Sequence, residues 1–216
     1  MIRRDRNHPS VIMWSIGNEI HEQWIEGGGK VAEFLCRICH DEDPTRPTTA
    51  GFNSPEMAIK NGLAAAVDIP GWNYQPGKYV RYHQLFPTKA TYGSETESTV
   101  SSRGEYYFPV NEEVGLTRET FQVNSYDMSY PGWAYSPDVE FRAQDECPFI
   151  LGEFVWTGFD YLGEPTPYHA HWPSRSSYFG IVDLCGLPKD RFYLYQSKWT
   201  DKKVLHLLPH WTWPGR

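Results

Sequence analysis

The feature that most limits the fold of this chain is an alternation. Short apolar runs, partly β-branched or aromatic, occur at Val11–Trp14, Thr48–Phe52, Val67–Tyr74, Lys89–Glu95 and Pro148–Trp156. Between them lie segments with helical spacing or helix-start signals: Lys30–Asp41, Pro55–Ala66, Tyr79–Leu85 and Val139–Glu146. Pro55 falls at an early helical position, where its missing N–H costs little. A strand that leads through a helix to the next strand has to cross over the sheet, so these strands are expected to be parallel. Residues 98–137 break the rhythm with a long, irregular, polar-aromatic stretch, the kind of insertion that serves as a functional loop. Eight strand–helix units close a (β/α)₈ barrel in roughly 250 residues. Only five strands are legible in these 216 residues.

Composition removes several classes of function. The chain has 20 Lys and Arg against 27 Asp and Glu, a net charge of −7, and no long basic cluster. That argues against a nucleic-acid partner. No apolar stretch approaches the roughly 20 residues of a membrane span, so no membrane partner is expected. No signal-peptide pattern is visible after Met1, and the four cysteines do not demand disulfides, which leaves the compartment open. Cys36-Arg37-Ile38-Cys39-His40 has the spacing of a c-type haem attachment site. Yet Val31, Ala32, Leu35 and Ile38 share its helical face, so both thiols read as small core residues. His169-Ala170-His171 has a spacing zinc can use, but no third ligand is placed by sequence. No metal or cofactor is therefore expected. The 9 Trp, 14 Tyr and 11 Phe are the compositional anomaly. Aromatic faces pack on the C–H faces of sugars, and they equally build cores and interfaces.

In barrels of parallel strands the C-terminal strand ends carry the chemistry. Two of the expected strands end on carboxylates. Ser15-Ile16-Gly17-Asn18-Glu19 closes the first, and Tyr92-Gly93-Ser94-Glu95-Thr96-Glu97 closes the fourth, with Glu95 and Glu97 both candidates. Glycoside hydrolysis needs such a pair: one acid protonates the leaving oxygen and one carboxylate works from across the ring. The competing view of Glu19 is a carboxylate that caps the next helix. For Glu97 it is a loop carboxylate paired to Arg103.

The run Asn7-His8-Pro9-Ser10-Val11-Ile12-Met13-Trp14-Ser15-Ile16-Gly17-Asn18-Glu19 resembles the acid/base segment of glycoside hydrolase family 2, which includes β-galactosidases, β-glucuronidases and β-mannosidases. The run Tyr92 to Gly104 resembles the nucleophile segment of bacterial β-galactosidases in that family, and the match puts the nucleophile on Glu95. The resemblance implies a retaining exo-β-glycosidase with Glu19 as acid/base and carboxyl groups about 5–5.5 Å apart. It also implies that Asn18 bonds the sugar 2-hydroxyl, that Tyr74 hydrogen-bonds the nucleophile, and that Trp156 forms a floor under the sugar. Asp160 and Glu164, which come after Trp156, could bind a hydroxyl. His8, at the opposite end of its strand, reads as structural. Some members carry magnesium beside the acid/base, with other ligands from a part of the barrel not present here.

Because the acid/base ends strand four in the family and the nucleophile ends strand seven, the five strands number four to eight. The expected fold is thus α/β, a partial (β/α)₈ TIM barrel whose first three strands are missing. Residues 1–203 would be the C-terminal part of the catalytic barrel, and residues 204–216 the start of a linker or strand into a following β-sandwich. The expected partners are a carbohydrate substrate and β-sandwich domains of the same parent chain on both sides. Two alternatives stay open: β-glucuronidase or β-mannosidase specificity within the family, and a non-catalytic carbohydrate-binding fragment.

Overall fold

The computed structural model describes residues 1–171 and 176–208. Its strands are β1 (Trp14–Asn18), β2 (Thr48–Phe52), β3 (Ile69–Asn73), β4 (Thr91–Glu97), β5 (Glu113–Val114), β6 (Ser129–Tyr130) and β7 (Ile150–Trp156). Its α-helices are α1 (Ile2–Asp5), α2 (Gly28–Glu42), α3 (Pro55–Lys60), α4 (Leu63–Ala66), α5 (Tyr79–Leu85), α6 (Pro137–Glu146) and α7 (Asp190–Trp199). Five strands form one sheet in the order β1-β2-β3-β4-β7. The registers from β1 through β4 are parallel, as the alternation requires. This is an α/β fold with a parallel sheet, as in a TIM barrel. No helix among the described residues is long and apolar enough to cross a membrane.

The chain divides into two compact units, Met1–Thr96 with Glu140–Phe154, and Glu97–Val139 with Val155–Arg216. The first unit holds most of the sheet. Its core is aromatic at the centre and small at the rim. Trp72 is fully buried and lies 4.4 Å from Tyr82, 5.8 Å from Phe52 and 6.4 Å from Phe86, centroid to centroid. Ala32, Cys36, Ala58, Leu63 and Ala64 bring the helices down onto this cluster. Cys36 and Cys39 are both buried on α2, where desolvation pushes their thiols up.

Two local expectations shift. The first strand begins at Trp14 rather than Val11, because its partner begins at Thr48: Trp14 N–H donates to Pro47 C=O and Trp14 pairs with Thr48. Ile12, ahead of the pairing, is 64% exposed. The helix expected over Pro55–Ala66 is two helices. Gly62 stands between them at φ +86°, a left-handed conformation that ends one helix and starts the next at a new angle.

The second unit is mostly irregular, with the two-residue parallel pair β5–β6 and helix α7. Val100, Val123, Tyr168, Tyr178 and Phe179 form its core. Two buried cations tie its loops together. Lys189 Nζ donates to Ser101 C=O at 2.7 Å and pairs with Asp160 at 2.7 Å. Arg191 meets Asp127 at 2.9 Å and Gly180 C=O at 2.6 Å. Each charge is thereby compensated, as burial demands. Residues 204–208, expected to open a strand, are irregular. The remainder of that expected segment, 209–216, lies outside the described residues.

Candidate active site

The site is built at the C-terminal ends of β1, β3 and β4. Strand alternation would aim every second side chain at one face, and a β-bulge re-aims the residues beyond it. The β1–β2 register shifts between Ser15 and Asn18, and the β3–β4 register shifts between Gly71 and Asn73. Both irregularities fall just before the polar residues. Past them the chain turns into the left-handed region at non-glycine residues, φ +51° at Glu19 and φ +58° at Tyr74. That conformation costs on the order of 1–3 kcal/mol at each and is held by the surroundings. Here the holding bonds are visible: Glu19 N–H donates to Gly51 C=O at 3.0 Å, and Tyr74 N–H donates to Glu95 C=O at 2.9 Å.

The side chains form one connected network. Asn18 Nδ2 donates to Glu95 Oε1 at 2.8 Å, and the Tyr74 hydroxyl donates to Glu95 Oε2 at 2.8 Å. Asn73 Nδ2 donates to Glu19 Oε1 at 2.9 Å and to Asn18 Oδ1 at 3.2 Å. Ser94 Oγ donates to Asn73 Oδ1 at 2.5 Å. Two charge-assisted bonds therefore fix the Glu95 carboxylate in place and stabilise its negative charge. Gly51, on the strand between, gives the network its room. A Cβ there would stand 2.2 Å from Asn18 Oδ1, 3.0 Å from Asn73 Oδ1 and 3.2 Å from Ser94 Oγ. Any side chain at 51 would push the amides apart.

The structure thus brings Asn18, Glu19, Tyr74 and Glu95 together. Trp156 is described in the second unit: its Nε1 donates to the Tyr161 hydroxyl at 3.2 Å, and its ring packs on the cluster of Val100 and Phe179. Asp160, weighed as a hydroxyl binder, is taken up by Lys189 and by the amide of Gly180. Glu97 is buried at φ +67°, and its carbonyl accepts from Tyr135 N–H. The pairing of Arg103 with Glu97 that the competing view supposes does not form. Arg103 Nε donates instead to Asp183 at 2.6 Å, a carboxylate 80 residues along the chain that sequence proximity could not suggest. Among the described residues no three His, Cys, Asp or Glu side chains converge as a metal site would need.

Sequence reading missed Asn73, Ser94 and Gly51. The signal that could have found the first two is adjacency: Asn73 precedes Tyr74, Ser94 precedes Glu95, and both sit where strands hand over to loops. What made all three invisible is that their roles depend on the register between strands.

Comparison with known proteins agrees with this architecture. The sequence profile described as glycosyl hydrolases family 2, TIM barrel domain, matches residues 1–182 of the 216. A β-galactosidase of Bacteroides ovatus is 40% identical, over 100% of this chain and 30% of its own length. A β-glucuronidase of Bacteroides fragilis is 26% identical, over 95% of this chain and 29% of its own. The crystal structure of a glycosyl hydrolase family 2 member from Bacteroides cellulosilyticus superposes with a TM-score of 0.66 at 28% identity, covering 100% of this chain and 25% of that one. The chain spans less than a third of the length of each of these relatives. Its parallel sheet and the extent of the profile match lead to one conclusion: the chain belongs to glycosyl hydrolases family 2, and its residues 1–182 match the TIM barrel domain of that family.

Proposed function

We propose that this chain is the catalytic part of a retaining exo-β-glycosidase that hydrolyses terminal β-galactosides, with Glu95 as nucleophile and Glu19 as acid/base. The observation that carries this is the Glu95 carboxylate, gripped on both oxygens by Asn18 and Tyr74 within one network that also holds Glu19. In the first step a Glu95 oxygen forms a bond to the anomeric carbon. The bond from that carbon to the leaving oxygen breaks, and its electron pair stays with that oxygen, which takes the proton from Glu19. In the second step Glu19 takes a proton from water as the water oxygen attacks the same carbon and frees Glu95. Forming the ester removes the negative charge of Glu95, and its release by water restores it. Asn18 bonds the sugar 2-hydroxyl in this scheme, and Trp156 supplies the apolar floor under the ring; both assignments come from the family resemblance. The five strands of the sheet are numbered four to eight of the barrel. Residues 1–203 are assigned to the barrel and 204–216 to the passage into a following β-sandwich, with β-sandwich domains of the parent chain on both sides.

Galactose is preferred because a β-galactosidase gives the 40% match, whereas a putative β-glucuronidase of Formosa agariphila gives 31% and the β-glucuronidase of Bacteroides fragilis 26%. The test uses the full-length protein and aryl β-galactosides beside aryl β-glucuronides. Faster turnover of the glucuronide overturns the sugar assignment. Glu95→Gln is expected to abolish turnover of aryl galactosides, and Glu19→Gln to abolish it for those whose leaving group must be protonated. A 2-fluoro-galactosyl inhibitor is expected to leave its covalent adduct on the peptide at Glu95. An adduct on Glu97 would move the nucleophile, and binding of sugar with no hydrolysis under any condition would favour a non-catalytic role.

A further inference from the structure

Asn73 has no part in the two-step hydrolysis, yet it is fully buried and stands between the two carboxylates. Its amide orientation is dictated by its neighbours. Asn18 offers Nδ2 to Glu95, because a carbonyl oxygen there would face a carboxylate oxygen. Asn18 Oδ1 must then point the other way, towards Asn73, and it requires a donor. Asn73 answers with Nδ2, and its own oxygen falls opposite the Ser94 hydroxyl, which donates to it. With the carbonyl side of Asn73 satisfied by Ser94, the two Nδ2 hydrogens go to Asn18 and to Glu19 Oε1. The direction of every bond from Glu95 to Glu19 is set. The register provides the framework: Asn73 pairs with Glu95 across β3 and β4, which puts Ser94 beside it.

A carboxylic acid carries one proton. The carbonyl oxygen of a neutral carboxyl group is a better acceptor than its hydroxyl oxygen, so an N–H held at one oxygen favours the proton on the other. Resting on the acid/base reading of Glu19, we infer that Asn73, oriented by Ser94, is a positioning residue that occupies Glu19 Oε1 and leaves Oε2 as the oxygen that gives and retakes the proton. Asn73 holds the acid without touching the sugar, so its removal should be felt where proton donation limits the rate.

The experiment compares two leaving groups in the full-length enzyme, on whichever sugar, galactose or glucuronic acid, the unmodified enzyme turns over. The phenyl glycoside needs protonation as it departs, whereas the 2,4-dinitrophenyl glycoside does not. In Asn73→Ala, kcat/KM for the phenyl glycoside is expected to fall about 10- to 100-fold more than for the dinitrophenyl glycoside, the scale of one hydrogen bond to a charged group. Ser94→Ala is expected to shift the same ratio in the same direction by less. Equal losses for both leaving groups, or none, overturn the inference, because a merely structural role would not discriminate between them. If Asn73→Ala does not fold, the Ser94→Ala ratio decides by the same criterion. Glu19→Gln measured alongside separates the two levels. A flat response to leaving group in that variant sinks the acid/base reading itself. A steep response there with a flat one in Asn73→Ala sinks only the role of Asn73.

Discussion

At the scale of single residues, the two donors on Glu95 make a prediction opposite in kind to that for Asn73. Tyr74→Phe keeps the ring and removes the hydroxyl that donates to Oε2 at 2.8 Å. A charge-assisted bond is worth about 1.5–3 kcal/mol, so kcat/KM is expected to fall about 10- to 100-fold. Because the lost bond serves the attacking carboxylate, the loss should be alike for phenyl and dinitrophenyl glycosides. A loss confined to the poorer leaving group would place Tyr74 on the acid's side. The same residues mark what a sequence can disclose. Glu19 and Glu95 are legible because each closes an apolar run at a strand's functional end, within a distinctive motif. Tyr74 is legible as the last residue of a strand. Asn73 and Ser94 are not, since a buried asparagine next to a tyrosine and a serine next to a glutamate are unremarkable until the strands are aligned. Gly51 is hidden for a different reason: a glycine in a short strand has many explanations, and only the 2.2 Å approach to Asn18 selects one.

At the scale of elements, hydrophobic period and turn chemistry carry most of the fold. Strands at Thr48–Phe52 and Ile69–Asn73 are readable because β-branched and aromatic residues there bury both faces of a parallel sheet. The division of Pro55–Ala66 into α3 and α4 is not, because good helix formers on both sides of Asn61-Gly62, Glu56, Met57, Ala58 and Lys60 before it and Leu63 to Ala66 after it, favour continuing the helix. What breaks it is the conformation of Gly62, and the structure separates that cause from crowding. The nearest heavy atom to a Cβ at 62 would be Gly29 Cα at 4.0 Å, an ordinary contact. Gly62→Ala should therefore cost about 1–2 kcal/mol through φ alone, and Gly62→Asn clearly less, since asparagine tolerates the left-handed region. Denaturant midpoints of the two variants check this. An asparagine variant as unstable as the alanine one would mean that packing between α2 and the α3–α4 turn, rather than backbone conformation, sets the requirement. The long stretch after β4 reads as an insertion from its composition, but its ties are out of reach of sequence. Arg103 to Asp183 and Lys189 to Ser101 each join residues at least 80 positions apart.

At the scale of the whole molecule, stability is coupled to acid through carboxylates in both units. Asp43 is held well below the usual carboxylate range, first by the Thr45 hydroxyl and then by Trp14 Nε1 and Arg46. Burial alone would push Asp68 and Asp183 up. For Asp68 the Thr48 amide and hydroxyl and His40 outweigh it, and for Asp183 Arg103 and the amides of Leu187 and Cys185 do so. All three are depressed in the folded state relative to the unfolded chain. Between the folded and unfolded values the unfolded chain binds more protons, so stability rises with pH there. The contribution is complete above the ordinary aspartate value of 3.8 and is lost as pH falls through the lower, folded values. Asp43→Asn should accordingly be less stable than the parent chain at pH 7, where the carboxylate accepts from Thr45, Trp14 and Arg46. The gap should narrow as the pH is lowered below about 4, because the parent's aspartate is then neutralised as the chain unfolds. Urea midpoints of both chains at pH 7, 5 and 3 provide the measurement. A gap of constant size across that range would mean that Asp43 acts through shape alone, as an acceptor that an amide fails to replace, and that its charge adds nothing to the coupling of fold to pH.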